Sequence, residues 1–249
     1  MKKMITAAIT AGLTASMAMA ADVTLDFASA YVFRGVTQND EAVFQPAIET
    51  SGLGVPEEYG SVTVGAWGNY DIGDYDDNKE SSEFSEVDWY VSYSLPAMVE
   101  NLDIFIGYTE YTYPNGGTAD KEGNFGLGYA IGDLGLGATV YFNIGGGGLD
   151  EYIYYEFAAE YGFDITEELS ASIAGTVAGY SKDEGDDGLN DGTITGALSY
   201  TLSEVWSVGL SGTYIAQLDD DVLVDEDLDN GQFGYDVEFL GMLSLAASF

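Results

Sequence analysis

The chain has 249 residues, with 43 Asp and Glu against six Lys and Arg, no His and no Cys, and a formal net charge of −37. Nucleic acid is excluded as a partner, because phosphate contacts need clustered cations. The missing His and Cys remove Ser-His-Asp catalysis, His-ligated zinc, thiolate metal sites and disulfides.

Residues 1–20, "MKKMITAAITAGLTASMAMA", read as a secretory signal peptide. Lys2 and Lys3 form a basic start, an apolar run follows, and Ala18-Met19-Ala20 is an A-x-A cleavage site. Cleavage after Ala20 leaves one exported domain, residues 21–249, in which Arg34, Lys79, Lys121 and Lys182 face all 43 carboxylates. No later run reaches the ~20 apolar residues of a membrane helix. Barrel strands need only ~9–11 residues, and they alternate.

Twelve alternating segments follow. The first, residues 22–34, puts Val23, Leu25, Phe27, Tyr31 and Phe33 on one face. Thr24, Asp26, Ala28, Ala30 and Arg34 fall on the other, with Val32 as an apolar misfit there. A period of two is the mark of a strand between apolar and polar surroundings. The segments at 43–50, 61–70, 85–95 and 101–111 repeat the pattern, setting Glu49, Glu86, Asp88 and Asp103 against Ile48, Val87, Trp89 and Ile104. Residues 124–131 and 134–143 form a hairpin through Gly132, with glycine on most of the polar face. Those glycines either open space or receive the side chains of neighbours. Residues 151–163 oppose Phe157 and Tyr161 to Glu156 and Glu160, and the segments at 169–180, 192–202 and 205–216 carry Ser, Thr and Gly on the polar side.

The last segment, residues 233–249, alternates back from Phe249 through Leu245, Leu243, Phe239 and Val237 to Phe233, with Asp236 and Glu238 opposite. A terminal Phe closing an alternating strand looks like the signal by which bacterial barrel-assembly machinery recognises its clients.

Short connections around Gly54-Val55-Pro56, Pro96-Ala97-Met98, Gly132, Asp164-Ile165-Thr166 and Ser203 alternate with longer acidic or glycine-rich loops. A soluble β-sandwich also alternates, but two features favour a membrane barrel. Tyr and Trp recur near the strand ends of the apolar face, among them Tyr70, Trp89, Tyr129, Trp206 and Tyr235, as in an interfacial girdle. The segments are also longer than the five or six residues usual in globular strands. About ten residues at ~3.3 Å, tilted ~40°, cover roughly the 25 Å apolar band of an outer membrane. The expected fold is an all-β antiparallel transmembrane barrel of twelve strands. Its short turns are periplasmic, and its longer acidic loops are extracellular.

The segments "YVFRGVTQND" and "FQPAIE" resemble the N-terminal signature of the TorF family of porins. The hallmark Tyr-x-Phe-Arg-Gly falls on Tyr31, Phe33, Arg34 and Gly35, and the following Gln on Gln45. Ala42 stands where the family often has Pro, and Pro46 follows the Gln instead. The resemblance covers residues 31–49 and implies an outer-membrane porin.

With the apolar face outward, Asp26, Glu49, Glu86, Asp88, Asp103, Glu156, Glu160, Asp236 and Glu238 line the lumen, with Arg34 as the cation among them. Such a lining concentrates cations and repels anions. The expected partners are outer-membrane lipid, the assembly machinery and small neutral or cationic solutes. Arg34 is expected to pair with a facing carboxylate such as Glu49, while Tyr31 and Phe33 meet lipid. The loops Asp219–Gly231 and Asp183–Gly192 offer oxygen ligands suited to Ca²⁺, but neither has EF-hand spacing, so a solvated acidic loop is the competing reading. No other cofactor is implied. A non-conducting structural or adhesive barrel is the alternative to a porin. A carboxylate-pair hydrolase is marked by no spacing.

Overall fold

The computed structural model describes residues 21–249 except residues 54, 76–81, 97–98, 146–151 and 184. The expected signal peptide lies outside the described residues, as do Gly54 and Ala97-Met98 of two expected turns and Glu184 of one expected Ca²⁺ loop. In chain order the strands are β1 (Ala21–Ala28), β2 (Tyr31–Phe33), β3 (Val36–Asn39), β4 (Val43–Ser51), β5 (Ser61–Asp71), β6 (Glu83–Ser94), β7 (Leu102–Thr112), β8 (Asp120–Ile131), β9 (Leu134–Gly145), β10 (Tyr152–Asp164), β11 (Leu169–Lys182), β12 (Gly188–Thr201), β13 (Trp206–Gln217) and β14 (Phe239–Ser248).

Twelve of them close into an antiparallel barrel in which every wall strand neighbours the next in sequence. The ring closes where β1 pairs with β14, from Asp22↔Ser248 to Ala28↔Met242. The terminal residue takes part: Phe249 N–H donates to Ala21 O at 3.0 Å, and Ala21 N–H donates back at 3.4 Å. Closure leaves no unpaired edge.

The alternation read from the sequence decides which face is which. Phe157 (60%), Ile194 (59%) and Leu210 (59%) stand on the outer face with most of their surface exposed, and the same holds for an apolar side chain on nearly every wall strand. Soluble proteins rarely leave contiguous apolar patches beyond a few hundred Å². The inner face is polar, small or aromatic. Both expected roles of its glycines occur. A Cβ at Gly126 would collide with the tip of the Phe105 ring, which reaches over it from the neighbouring strand. A Cβ at Gly137, by contrast, would meet only the Ala158 Cβ, at 3.7 Å.

Two expected strands are shorter than the alternation suggested. The first stops at Ala28, and Tyr31–Phe33 turns back on Val36–Asn39 as a separate hairpin. Arg34 (φ 51°) and Gly35 (φ 79°) form its two-residue turn. Positive φ at both central positions is the type I′ geometry, whose twist suits a tight hairpin. A hairpin alternates as a wall strand does, so the period of two ran through the break unseen. The last strand begins at Phe239, so Phe233, Tyr235, Asp236 and Glu238 belong to the loop before it. Elsewhere strands run further than expected. β8 begins at Asp120, β11 runs on to Lys182, and β12 begins at Gly188, within the expected Asp183–Gly192 loop.

Candidate functional site

The hairpin β2–β3 leaves and re-enters the wall at one place. β1 and β4 are neighbours, with Ala28 paired to Val43, so residues 29–42 start and finish side by side. Ser29 holds the exit: its N–H donates to Gly241 O at 2.9 Å, and its Oγ accepts from Gly241 N–H at 3.0 Å. From there the hairpin crosses the lumen. In the ring, β9 lies six strands from β1 in either direction, and the tip of the hairpin reaches β8, β9 and β10.

Contacts along the way come from inward-facing side chains. The Tyr31 ring packs on Trp67 with centroids 5.5 Å apart, and its hydroxyl donates to Glu86 Oε2 at 2.8 Å. Phe33 meets the Tyr111 ring edge-on at 5.8 Å. These two rings were expected to face outward. Both instead pack against lumen-side residues, because they sit on the hairpin. At its other foot, Asn39 donates to Asp71 Oδ1 at 2.8 Å, and Asn69 donates to the same oxygen at 2.9 Å. Gln45 in turn donates to Asn69 at 3.0 Å.

Arg34, at the tip, makes a forked pair with Glu122: Nη1 to Oε1 at 2.7 Å and Nη2 to Oε2 at 2.9 Å. Its guanidinium carbon lies 4.2 Å from the Tyr154 ring centre, 4.8 Å from those of Tyr141 and Phe33, and 5.9 Å from that of Tyr152. Glu122 also accepts from the hydroxyls of Tyr111 and Tyr152. The two side chains are 7% and 1% exposed, so this is a buried ion pair. The Arg34 backbone is held as well, its carbonyl accepting from Asn190 Nδ2 at 2.7 Å.

Arg34 therefore pairs with Glu122 and not with Glu49, which accepts from Tyr90 at 3.1 Å. Sequence reasoning missed Glu122 because residues 114–122 read as a loop. Counting back by twos from Asn124 would have found it on the inward face of β8. Tyr111, Tyr141, Tyr152 and Tyr154 were missed as a group, because no local pattern links three different strands.

The other expected lining residues divide by place. Asp26, Glu49, Glu86, Asp88, Asp103, Glu156 and Glu160 sit at inward positions of β1, β4, β6, β7 and β10. Asp236 and Glu238 lie in the β13–β14 loop, outside the wall. Away from Tyr180 and Asp191, which meet Tyr154 beside Arg34, the wall from β11 to β13 is different: small and hydroxyl-bearing, with Thr176 hydrogen-bonded to Thr193 at 2.7 Å and Thr195 to Thr213 at 2.8 Å. The lumen thus has an acidic, aromatic side and a neutral, smooth one.

The β13–β14 loop covers the hairpin. Thr37 N–H donates to Gly234 O at 2.7 Å, and Val237 N–H donates to Thr37 Oγ1 at 3.0 Å. Leu223, only 2% exposed, packs over Gly35. In the same loop the Asp219, Asp220 and Asp221 carboxylates lie within 4.8 Å of one another. Burial, with Asp236 and Asp40 nearby, holds the Glu226 carboxyl above the ordinary carboxylate pKa.

Gly35 is the hinge of this packing. A Cβ there would sit 2.6 Å from Leu223 Cδ2 and 3.1 Å from Asp191 Cβ, on a backbone that L side chains avoid. Gly35→Ala is expected to lower stability by about 1–2 kcal/mol from the backbone alone, read as a fall in the urea midpoint. An unchanged midpoint would show that the tip is not packed as described.

No family model matches the chain, and no curated protein matches it in sequence. Several solved structures match it in fold. The COG4313 outer membrane channel from Pseudomonas putida F1 aligns over 98% of this chain and 100% of its own, with TM-score 0.60 and 7% identity. The KdgM porin in complex with disordered oligogalacturonate covers 92% of this chain and 99% of its own, at TM-score 0.52 and 8% identity. The NanC porin covers 92% and 98%, at 0.51 and 13%. Identities this low carry the architecture and nothing finer: a closed, antiparallel twelve-stranded barrel.

Proposed function

We propose that the chain is an outer-membrane channel that passes small neutral or cationic solutes by passive diffusion, with a preference for cations. One observation carries this reading: seven carboxylates of the expected set share the inner face of a closed barrel whose outer face is apolar. Among the described Lys and Arg, Lys121 pairs with Glu110 near the surface, and Lys182 lies over the Tyr180 ring beside Val222 O. Of these described cations only Arg34 reaches the opposite wall, and Glu122 offsets its charge. An acid-lined passage of low dielectric raises the local cation concentration. Export through a cleaved leader and assembly guided by Phe249 belong to the same reading. The architecture shared with porins and a channel supports it, and the absence of His argues against a Ser-His hydrolase in the same fold.

The test is the reversal potential of the purified protein in planar bilayers under a KCl gradient. The expected sign is that of cation preference, and its size should shrink as salt screens the lining. Anion preference overturns the reading. The non-conducting alternative is favoured by the hairpin across the lumen. It would be established by the absence of conductance both in the native chain and after removal of the hairpin.

A further inference from the structure

The surroundings of Arg34 belong to the barrel wall. Glu122 comes from β8, Tyr111 from β7, Tyr141 from β9, and Tyr152 and Tyr154 from β10. The hairpin contributes the guanidinium and the Phe33 ring beside it. The wall groups are also held by one another. Tyr111 and Tyr152 both donate to Glu122, and Tyr154 donates to Asp191 at 3.2 Å. The Tyr141 and Tyr154 rings lie 5.9 Å apart, and Tyr180 packs on Tyr154 at 4.8 Å. The site is therefore organised without help from the charge it receives.

Its chemistry is selective. A forked carboxylate matches the two parallel N–H donors of a guanidinium, which a point charge cannot satisfy in the same way. Tyrosine faces add cation–π attraction, strongest for a weakly hydrated planar cation. A structural ion pair needs only the carboxylate. Three tyrosine rings around the same cation make a binding site.

We infer that Glu122, Tyr141, Tyr152 and Tyr154 form a recognition site for guanidinium-bearing solutes, which Arg34 occupies as a tethered ligand. A solute carrying the same group competes for the cage, frees the tip of the hairpin and widens the lumen. The binding stands on the cage alone, whereas the widening rests on the channel reading above. A short tether keeps Arg34 at an effective concentration in the millimolar range or higher. Free guanidinium must reach at least that level to compete in the native chain, and far less once Arg34 is removed.

The experiment uses the full chain in detergent, with guanidinium chloride as probe at about 1–20 mM, the range a tether sets. Sodium chloride at equal ionic strength is the control. For Arg34→Ala, the melting temperature is expected to rise saturably with guanidinium and to stay flat with sodium. The native chain should respond only at concentrations at least tenfold higher, and Glu122→Gln in the Arg34→Ala background should abolish the response. Equal effects of guanidinium and sodium on Arg34→Ala, or a response that survives Glu122→Gln, would overturn the site. Should Arg34→Ala refold poorly, the refolded yield becomes the readout: rescue by guanidinium supports the site, and equal yields in both salts overturn it. Single-channel recording separates the two readings. A saturable guanidinium effect on Arg34→Ala stability with no conductance from any variant would sink the channel and leave the cage.

Discussion

Replacing residues 30–39 with a short Gly-Ser linker is expected to raise single-channel conductance several-fold while the barrel still assembles. The geometry permits the cut. Ala28 and Val43 are cross-strand partners, so a few residues bridge the gap that the hairpin now spans. None of the wall ladders runs through β2 or β3, which pair only with each other. The excision removes the Tyr31 and Phe33 rings and the Arg34 charge from the lumen, and it leaves Glu86 and Glu122 facing the space. Cation preference should therefore sharpen as conductance grows, since a fixed positive charge leaves and the carboxylates stay. Assembly is checked by heat-modifiable migration on gels, and conductance by single-channel recording at fixed salt. An assembled barrel with unchanged conductance would show that the hairpin does not set the narrowest point.

The second large effect is expected at Glu122. Glu122→Ala leaves the Arg34 guanidinium buried among rings without its forked acceptor, and removing one partner of a buried pair typically costs about 3–5 kcal/mol. Urea is the denaturant of choice, because guanidinium is itself a ligand of the inferred site. Arg34→Ala should cost less than Glu122→Ala. It leaves a carboxylate that still accepts from the Tyr111 and Tyr152 hydroxyls, whereas a guanidinium can only donate. The double variant should lose less than the two single losses added together, because each single change already breaks the same contact. A loss within about 0.5 kcal/mol for Glu122→Ala, as for an ordinary surface change, would mean that the pair does not anchor the hairpin.

The barrel was legible because its signal is local. Alternation in each segment, the spacing of turns and the run ending at Phe249 are properties of neighbouring residues, and burial of one strand face needs nothing more to declare itself. The inward placement of Asp26, Glu49, Asp103, Glu156 and Glu160 followed from parity for the same reason. Parity failed at the two chain ends. There, residues 31–34 and 233–238 keep the rhythm of a wall strand yet pack against each other's segments inside the long-loop end, through Thr37.

Arg34 marks the boundary between the two kinds of information. Its charge in an acidic chain, with Gly35 behind it, declared by itself a lumen-side cation in need of a carboxylate. Which carboxylate was a tertiary decision. Glu122 lies 88 residues away and Asn190 156 residues away, and they meet Arg34 only because the closed ring brings β8 to β12 around the point where a hairpin from β1 arrives. A period of two specifies which face a side chain takes, but it carries no information about whether a segment stays in the wall or crosses the lumen. That choice rests on long-range burial of a charge and its tyrosine cage.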